Sequence, residues 1–135
     1  MKRLLFIVVA LMAFVACDTV EPLSVYDLRC EDLTNPTAID SANPHFSWKI
    51  AAEAKATAQT HYEIQVATSP KALQRGEADL WSSGEVASDE SVMVPYAGEA
   101  LSSRVLAYWR VRVWDNHGNV SPWSDVQRFG VGILS

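Results

Sequence analysis

Tyr108–Asp125 reads YWRVRVWDNHGNVSPWSD and carries three of the chain's five tryptophans within eighteen residues. Trp109, Val111 and Val113 share one phase of a two-residue period. Tyr108, Arg110, Arg112 and Trp114 share the other. Such alternation predicts a strand with one buried face, and the Trp–Val–Val phase is the apolar one. Asp115-Asn116-His117-Gly118-Asn119 then predicts a hairpin turn with Gly118 at positive φ. A return strand follows, carrying Trp123, Phe129 and Val131. Trp123 is placed by this reading beside Arg110 or Arg112, where a guanidinium over an exposed ring gains about 0.5–1 kcal/mol. The cluster therefore either holds a small domain together or binds something.

The same period recurs upstream. Tyr26, Leu28 and Cys30 alternate with Asp27, Arg29 and Glu31. Phe46, Trp48 and Ile50 alternate with His45, Ser47 and Lys49. Tyr62, Ile64 and Val66 alternate with Glu63 and Gln65. Each group predicts a half-buried strand. Asn35–Pro44, with prolines at 36 and 44, reads as a loop. AAEAKATAQ (51–59) has helical propensity but no apolar stripe, so a loop or strand extension is expected. SPKALQRG (69–76) is a short helical turn, with Ser69 as cap, Pro70 in the first turn and Gly76 closing it. DLWSSGEV and SVMVPY are shorter strand candidates. About seven short strands with no long helix predict an all-β antiparallel sandwich of the fibronectin type III or immunoglobulin kind.

The N-terminus follows a different pattern. Lys2 and Arg3 precede an apolar run, Leu4–Ala16, too short to span a bilayer as a helix and fitting a secretory signal. The run ends Val15-Ala16-Cys17, which resembles a bacterial lipobox, although Phe14 stands where leucine is commoner. Residues 1–16 are thus read as a lipoprotein signal, Cys17 as the lipidated residue, 17–23 as a tether and 24–135 as the sandwich. Soluble secretion is the alternative. Lipidation would leave Cys30 without a partner, a small buried hydrophobe in a domain held by its apolar core.

Without Lys2 and Arg3, 9 basic face 16 acidic residues, a net charge of −7. That balance argues against nucleic acid and against anionic headgroups as partners. The anchor by lipid on Cys17 is the one membrane contact this reading gives.

Taken in order, NPTAID, PHFSWKI, QTHYEIQVATSP, DLWSSGEV, YWRVRVWDNHGNVSPWSD and RFGVGIL resemble the N-terminal fibronectin III-like domain of bacterial α-L-rhamnosidases. The resemblance covers residues 24–134. One departure is Ala107, which stands where relatives often have a tyrosine-corner tyrosine. The resemblance implies a sandwich whose partners are the catalytic and other β-domains of a rhamnosidase, with rhamnose-containing polysaccharide as a further candidate partner. The family's catalytic carboxylates lie in a barrel to which no residue here corresponds, so it implies no catalytic residue in this chain.

The residues themselves give the same answer. Glycoside hydrolysis needs two carboxyl groups flanking the scissile bond, one with a raised pKa. Asp79, Glu85, Asp89 and Glu90 are close in sequence but read as loop and strand edge. His45, His61 and His117 lack metal-ligand spacing, and the Asp115–Asn119 run lacks the length and distal glutamate of a calcium loop. No cofactor or metal is expected. Asn119 opens an Asn-Val-Ser glycosylation pattern, expected to be unused. The functional hint is aromatic: Tyr108, Trp114, Trp123 and Trp81 would contact carbohydrate or a partner if they shared one surface. The preferred alternative is that Trp81 and Trp123 pack on the sheet edge and arginine stems. Two functions are therefore carried forward. One is a non-catalytic accessory module of a rhamnosidase-like glycoside hydrolase, as a truncated chain. The other is a stand-alone carbohydrate- or protein-binding surface lipoprotein.

Overall fold

A computed structural model describes residues 21–134. Residues 1–16, read above as a signal, and Cys17 lie outside them. Seven strands and one short helix follow in the order β1 (Leu23–Cys30), β2 (His45–Ala52), β3 (Gln59–Ala67), α1 (Pro70–Gln74), β4 (Trp81–Ser82), β5 (Val94–Pro95), β6 (Leu106–Asp115) and β7 (Gln127–Gly130). They form two antiparallel sheets, β1-β2-β5 and β4-β3-β6-β7. The sandwich expectation holds.

The inward phases of the two sheets meet as predicted. Phe46 and Trp48 from one sheet are buried against Ile64, Val66, Trp109 and Val111 from the other. The Phe46 and Trp109 rings are 4.4 Å apart at the centre of this layer. Trp48 also buries its indole N–H, which donates to Gln59 Oε1 at 2.9 Å. The Gln59 amide nitrogen donates in turn to the Ser88 and Glu90 carbonyls. That network satisfies polar atoms which would otherwise cost about 1–3 kcal/mol each.

β1 departs from the alternation. Tyr26 was expected inside with Leu28 and Cys30, yet it is half exposed. The cause is a register shift between Tyr26 and Arg29, with Asp27 in the left-handed region at φ 51°. An extra residue turns the strand, so positions before and after it no longer share a face. Leu23, read as the end of the tether, is fully buried and opens β1. Trp123, expected on the return strand, lies in the irregular segment before β7. The short helix is built as predicted. Ser69 Oγ accepts from Ala72 N–H, Pro70 sits in the first turn, and Gly76 has φ 73°.

The strand pairings fix two poles. Leu23 pairs with Ala52 and Gln59 with Asp115 at one end. Leu106 pairs with Gly130 at the other, where Ile39 also bridges Val131. The chain enters the domain at the first pole and reaches Leu134 at the second.

Cys30 is buried, and burial followed by the Glu31 charge pushes its thiol up to about 12. The thiolate is the reactive form, so the native thiol stays inert at pH 9. The unfolded thiol ionises near its ordinary value of 9.0. Between these values rising pH therefore favours the unfolded chain, and the contribution is fully present only below pH 9. Cys30 is expected to react with a thiol reagent at pH 8–9 no faster than the domain opens, and immediately in denaturant. Fast native labelling would contradict the burial.

Candidate functional site

The outer face of the β4-β3-β6-β7 sheet gathers three of the four aromatic candidates. Its geometry starts from the β6 alternation, which sends Tyr108, Arg110, Arg112 and Trp114 outward. Register then sets their neighbours on β3: Gln65 opposite Arg110, Glu63 opposite Arg112, and His61 opposite Trp114. Gln65 Oε1 accepts two hydrogen bonds from Arg110, at 3.0 and 2.7 Å. Arg110 also donates to the Leu73 carbonyl of α1 at 2.8 Å, tying the helix to the sheet. Glu63 receives Arg112 at 2.7 Å, a half-buried pair worth about 0.5–1 kcal/mol after solvent screening.

Trp123 reaches this face although it is not in a ladder strand, because serines take the ladder's place. Ser121 Oγ accepts from Val113 N–H, and Ser121 N–H donates to the Val113 carbonyl. Ser124 repeats the pattern two residues back on Val111. Side-chain hydroxyls thus replace strand carbonyls and pin the segment with the indole over the arginines. The Arg110 and Arg112 guanidinium carbons lie 4.2 and 4.5 Å from the Trp123 ring centroid. Arg112 also lies 5.2 Å from the Trp114 ring. Burial, and then the neighbouring Arg112 charge, lower the Arg110 pKa, but a guanidinium stays protonated.

The other candidates divide. Tyr108 packs on the small cluster of Ala67, Ala72 and Leu73 under α1, and it borders a hollow of about 220 Å³ with Pro70, Val126 and Arg128. Trp114 meets His61 edge-on at 6.2 Å. Trp81 belongs elsewhere. It pairs with the core residue Val66, packs against the core and meets Tyr96 edge-on at 5.2 Å. The four aromatics therefore do not form one contact surface.

Ala107 is fully buried and supplies no corner hydroxyl. Tyr96 provides a hydroxyl tie in another place, donating to the Glu99 carbonyl at 2.8 Å and approaching the Leu80 carbonyl at 3.3 Å. Burial and then the Glu99 charge raise its pKa.

Three carboxyls are shifted opposite to a general acid's needs. The Asp79 carboxyl is held below its ordinary value, chiefly by the Thr68 hydroxyl at 2.6 Å. Salt and hydrogen bonds from Lys49 and Arg29 do the same for Asp27. For Asp115, burial works upward but is outweighed by N–H donors from Asn119 and His117. Those donors occupy both Asp115 oxygens and build the hairpin turn, with Gly118 at φ 82°. The turn is thus held by its own amides. Among the described residues no group of three metal-ligating side chains comes together.

A family model described as the Rha78A-like N-terminal immunoglobulin domain matches residues 25–135. The chain belongs to this family. An alpha-L-rhamnosidase of Streptomyces avermitilis is 40% identical over 112 residues, which is 83% of this chain and 11% of that protein. One of Formosa agariphila is 43% identical over 75% of this chain and 11% of its own length. The crystal structure of the Streptomyces enzyme complexed with L-rhamnose superposes with a TM-score of 0.77, over 82% of this chain and 10% of that one. The Dictyoglumus thermophilum alpha-L-rhamnosidase gives 0.79 at 38% identity, over 82% and 12%. The chain spans about a tenth of the length of the relatives it matches. The similarity is to their immunoglobulin domain alone, a non-catalytic module.

Proposed function

We propose that this chain is the accessory N-terminal module of an α-L-rhamnosidase-type glycoside hydrolase, exported and anchored by lipid on Cys17, which supports catalytic domains that follow it in such enzymes. The observation that carries the reading is the match of residues 25–135 to that immunoglobulin domain. The outer-face geometry supports it. The arginine and tryptophan side chains there are engaged with each other and with Glu63 and Gln65, as expected of a brace. The two poles support a spacer role as well. A ten-residue strand such as β6 spans about 30 Å, so an anchor at the Leu23 end would hold a domain beyond Leu134 that far from the bilayer.

The hollow beside Tyr108 is the observation that favours the second reading, a carbohydrate-binding lipoprotein. Calorimetric titration with rhamnose and rhamnose-containing oligosaccharides separates the two. No saturable heat and no turnover of an aryl rhamnoside are expected. Binding that disappears in Tyr108→Ala would establish the second reading and displace the first.

A further inference from the structure

We infer that the hollow beside Tyr108 binds a carboxylate borne on a six-membered ring, with Arg128 holding the carboxylate. This site is independent of the accessory-module reading, because its ligand is anionic and not neutral rhamnose. Strand register builds it. Tyr108 and Arg128 are direct partners across β6 and β7, so their side chains leave the same face side by side. Asn35 is tied to the pair, since its Oδ1 accepts from Arg128 N–H at 2.9 Å. On the other flank Ala67 pairs with Tyr108, and the chain passes at once from β3 into α1, which brings Pro70 to the rim. These residues, with Val126 and Gln127, line one hollow of about 220 Å³.

The lining selects the ligand by charge, surface and size. No carboxylate lines the hollow, although acidic residues outnumber basic ones by 16 to 11 in the chain. Two other guanidinium groups of this sheet face are engaged, Arg110 with Gln65 and the Leu73 carbonyl, and Arg112 with Glu63. Arg128 is exposed, and among the described residues its guanidinium meets no acceptor. A guanidinium is a planar fork of donors that matches a carboxylate with two parallel hydrogen bonds. Beside it, the Tyr108 ring is fixed on Ala67, Ala72 and Leu73, and with Pro70 and Val126 it offers apolar surface to a ring face. Asn35 spends its oxygen on Arg128 N–H and keeps its amide nitrogen to donate. Pockets for drug-sized ligands run to about 300–1,000 Å³, so this smaller one takes a single ring. A hexuronate and an aromatic acid share the required chemistry, an apolar ring face with a carboxylate at its rim.

The test is a nuclear magnetic resonance titration of the ¹⁵N-labelled chain with sodium glucuronate and, separately, sodium benzoate. The amides of Asn35, Tyr108, Gln127 and Arg128 should shift saturably with at least one of them. A Kd of about 1–10 mM is expected, the range that ordinary ligand efficiency gives for roughly nine to thirteen non-hydrogen atoms. Saturation by glucuronate alone assigns the site to a sugar acid, and by benzoate alone to an aromatic acid. Arg128→Gln should weaken binding about tenfold or more, as should methyl esterification of the acid, which keeps the ring and removes the charge. Arg128 is exposed and its bond to Asn35 comes from the backbone, so this variant keeps the fold. Arg104→Gln, an exposed arginine outside the hollow, should leave binding unchanged. Absence of saturable shifts with both acids, equal shifts with the ester, or shifts that survive Arg128→Gln overturn the proposal. Shifts confined to Arg29 and Lys49 overturn it too, since the acids would then be following charge alone.

Discussion

Replacing Trp109 with alanine is expected to lower the domain's stability by about 3–5 kcal/mol, the cost of emptying a buried aromatic site. Trp109 is 1% exposed and stacks at 4.4 Å on Phe46 of the opposite sheet. Its loss opens the centre of the layer where neither sheet can collapse without breaking β-ladder bonds. Domains of this size are stable by only about 5–15 kcal/mol, so the variant should melt at least 10 °C lower or fail to fold. Trp123→Ala is the informative companion. It removes a half-exposed ring held by two guanidinium groups, at about 1–2 kcal/mol, and should leave a folded domain. Thermal unfolding of both, followed by circular dichroism, checks the pair. A Trp109→Ala shift of only two or three degrees would mean that the two sheets are held by something other than this layer.

Gly130→Ala should be nearly as damaging, for a reason of space and not of backbone conformation. A methyl group on Gly130 would meet the Thr37 carbonyl oxygen well inside van der Waals contact. The Thr37 loop cannot simply withdraw. Gly130 N–H donates to the Pro36 carbonyl at 2.9 Å, and its own carbonyl accepts from Ile39 N–H at 2.8 Å. The loop is thus bonded along the edge of β7 on both sides of the clash. Relief requires losing these bonds, at about 1 kcal/mol each, or straining them, for a total of about 2–4 kcal/mol. Gly132→Ala is the control. Its added carbon would meet nothing nearer than 3.4 Å, so urea unfolding should move by no more than about 0.5 kcal/mol. Equal midpoints for the two variants would show that the loop yields freely and that β7 has an open edge.

How far the sequence reached depended on whether a feature was local. Period-two alternation is local, because successive strand side chains must point to opposite faces. Trp109, Val111 and Val113 could therefore be assigned inward, and Arg110 and Arg112 outward, from spacing alone. The Ser69 cap and the positive φ at Gly76 and Gly118 were equally legible, since each depends on a few neighbouring residues. The Tyr26 assignment failed because a bulge adds a residue without leaving a compositional mark. Asp27 in the left-handed region is visible only once β1 is paired with β2.

The aromatic candidates show the same boundary. The sequence leaves Tyr108, Trp114, Trp123 and Trp81 as contact candidates, with Trp81 and Trp123 preferred as packing on the sheet edge and arginine stems. Only pairing across β3 sent Trp81 toward the core with Val66 and left Tyr108, Trp114 and Trp123 outside. The position of Trp123 depended on Ser121 and Ser124, whose hydroxyls stand in for strand carbonyls, a role that composition does not announce. The sequence by itself determined the class of fold and the inward face of each regular strand. Tertiary structure alone decided which rings share a surface and which glycine has no room for a methyl group. Those outcomes depend on contacts between residues tens of positions apart, whose geometry is set when the sheets pair and pack.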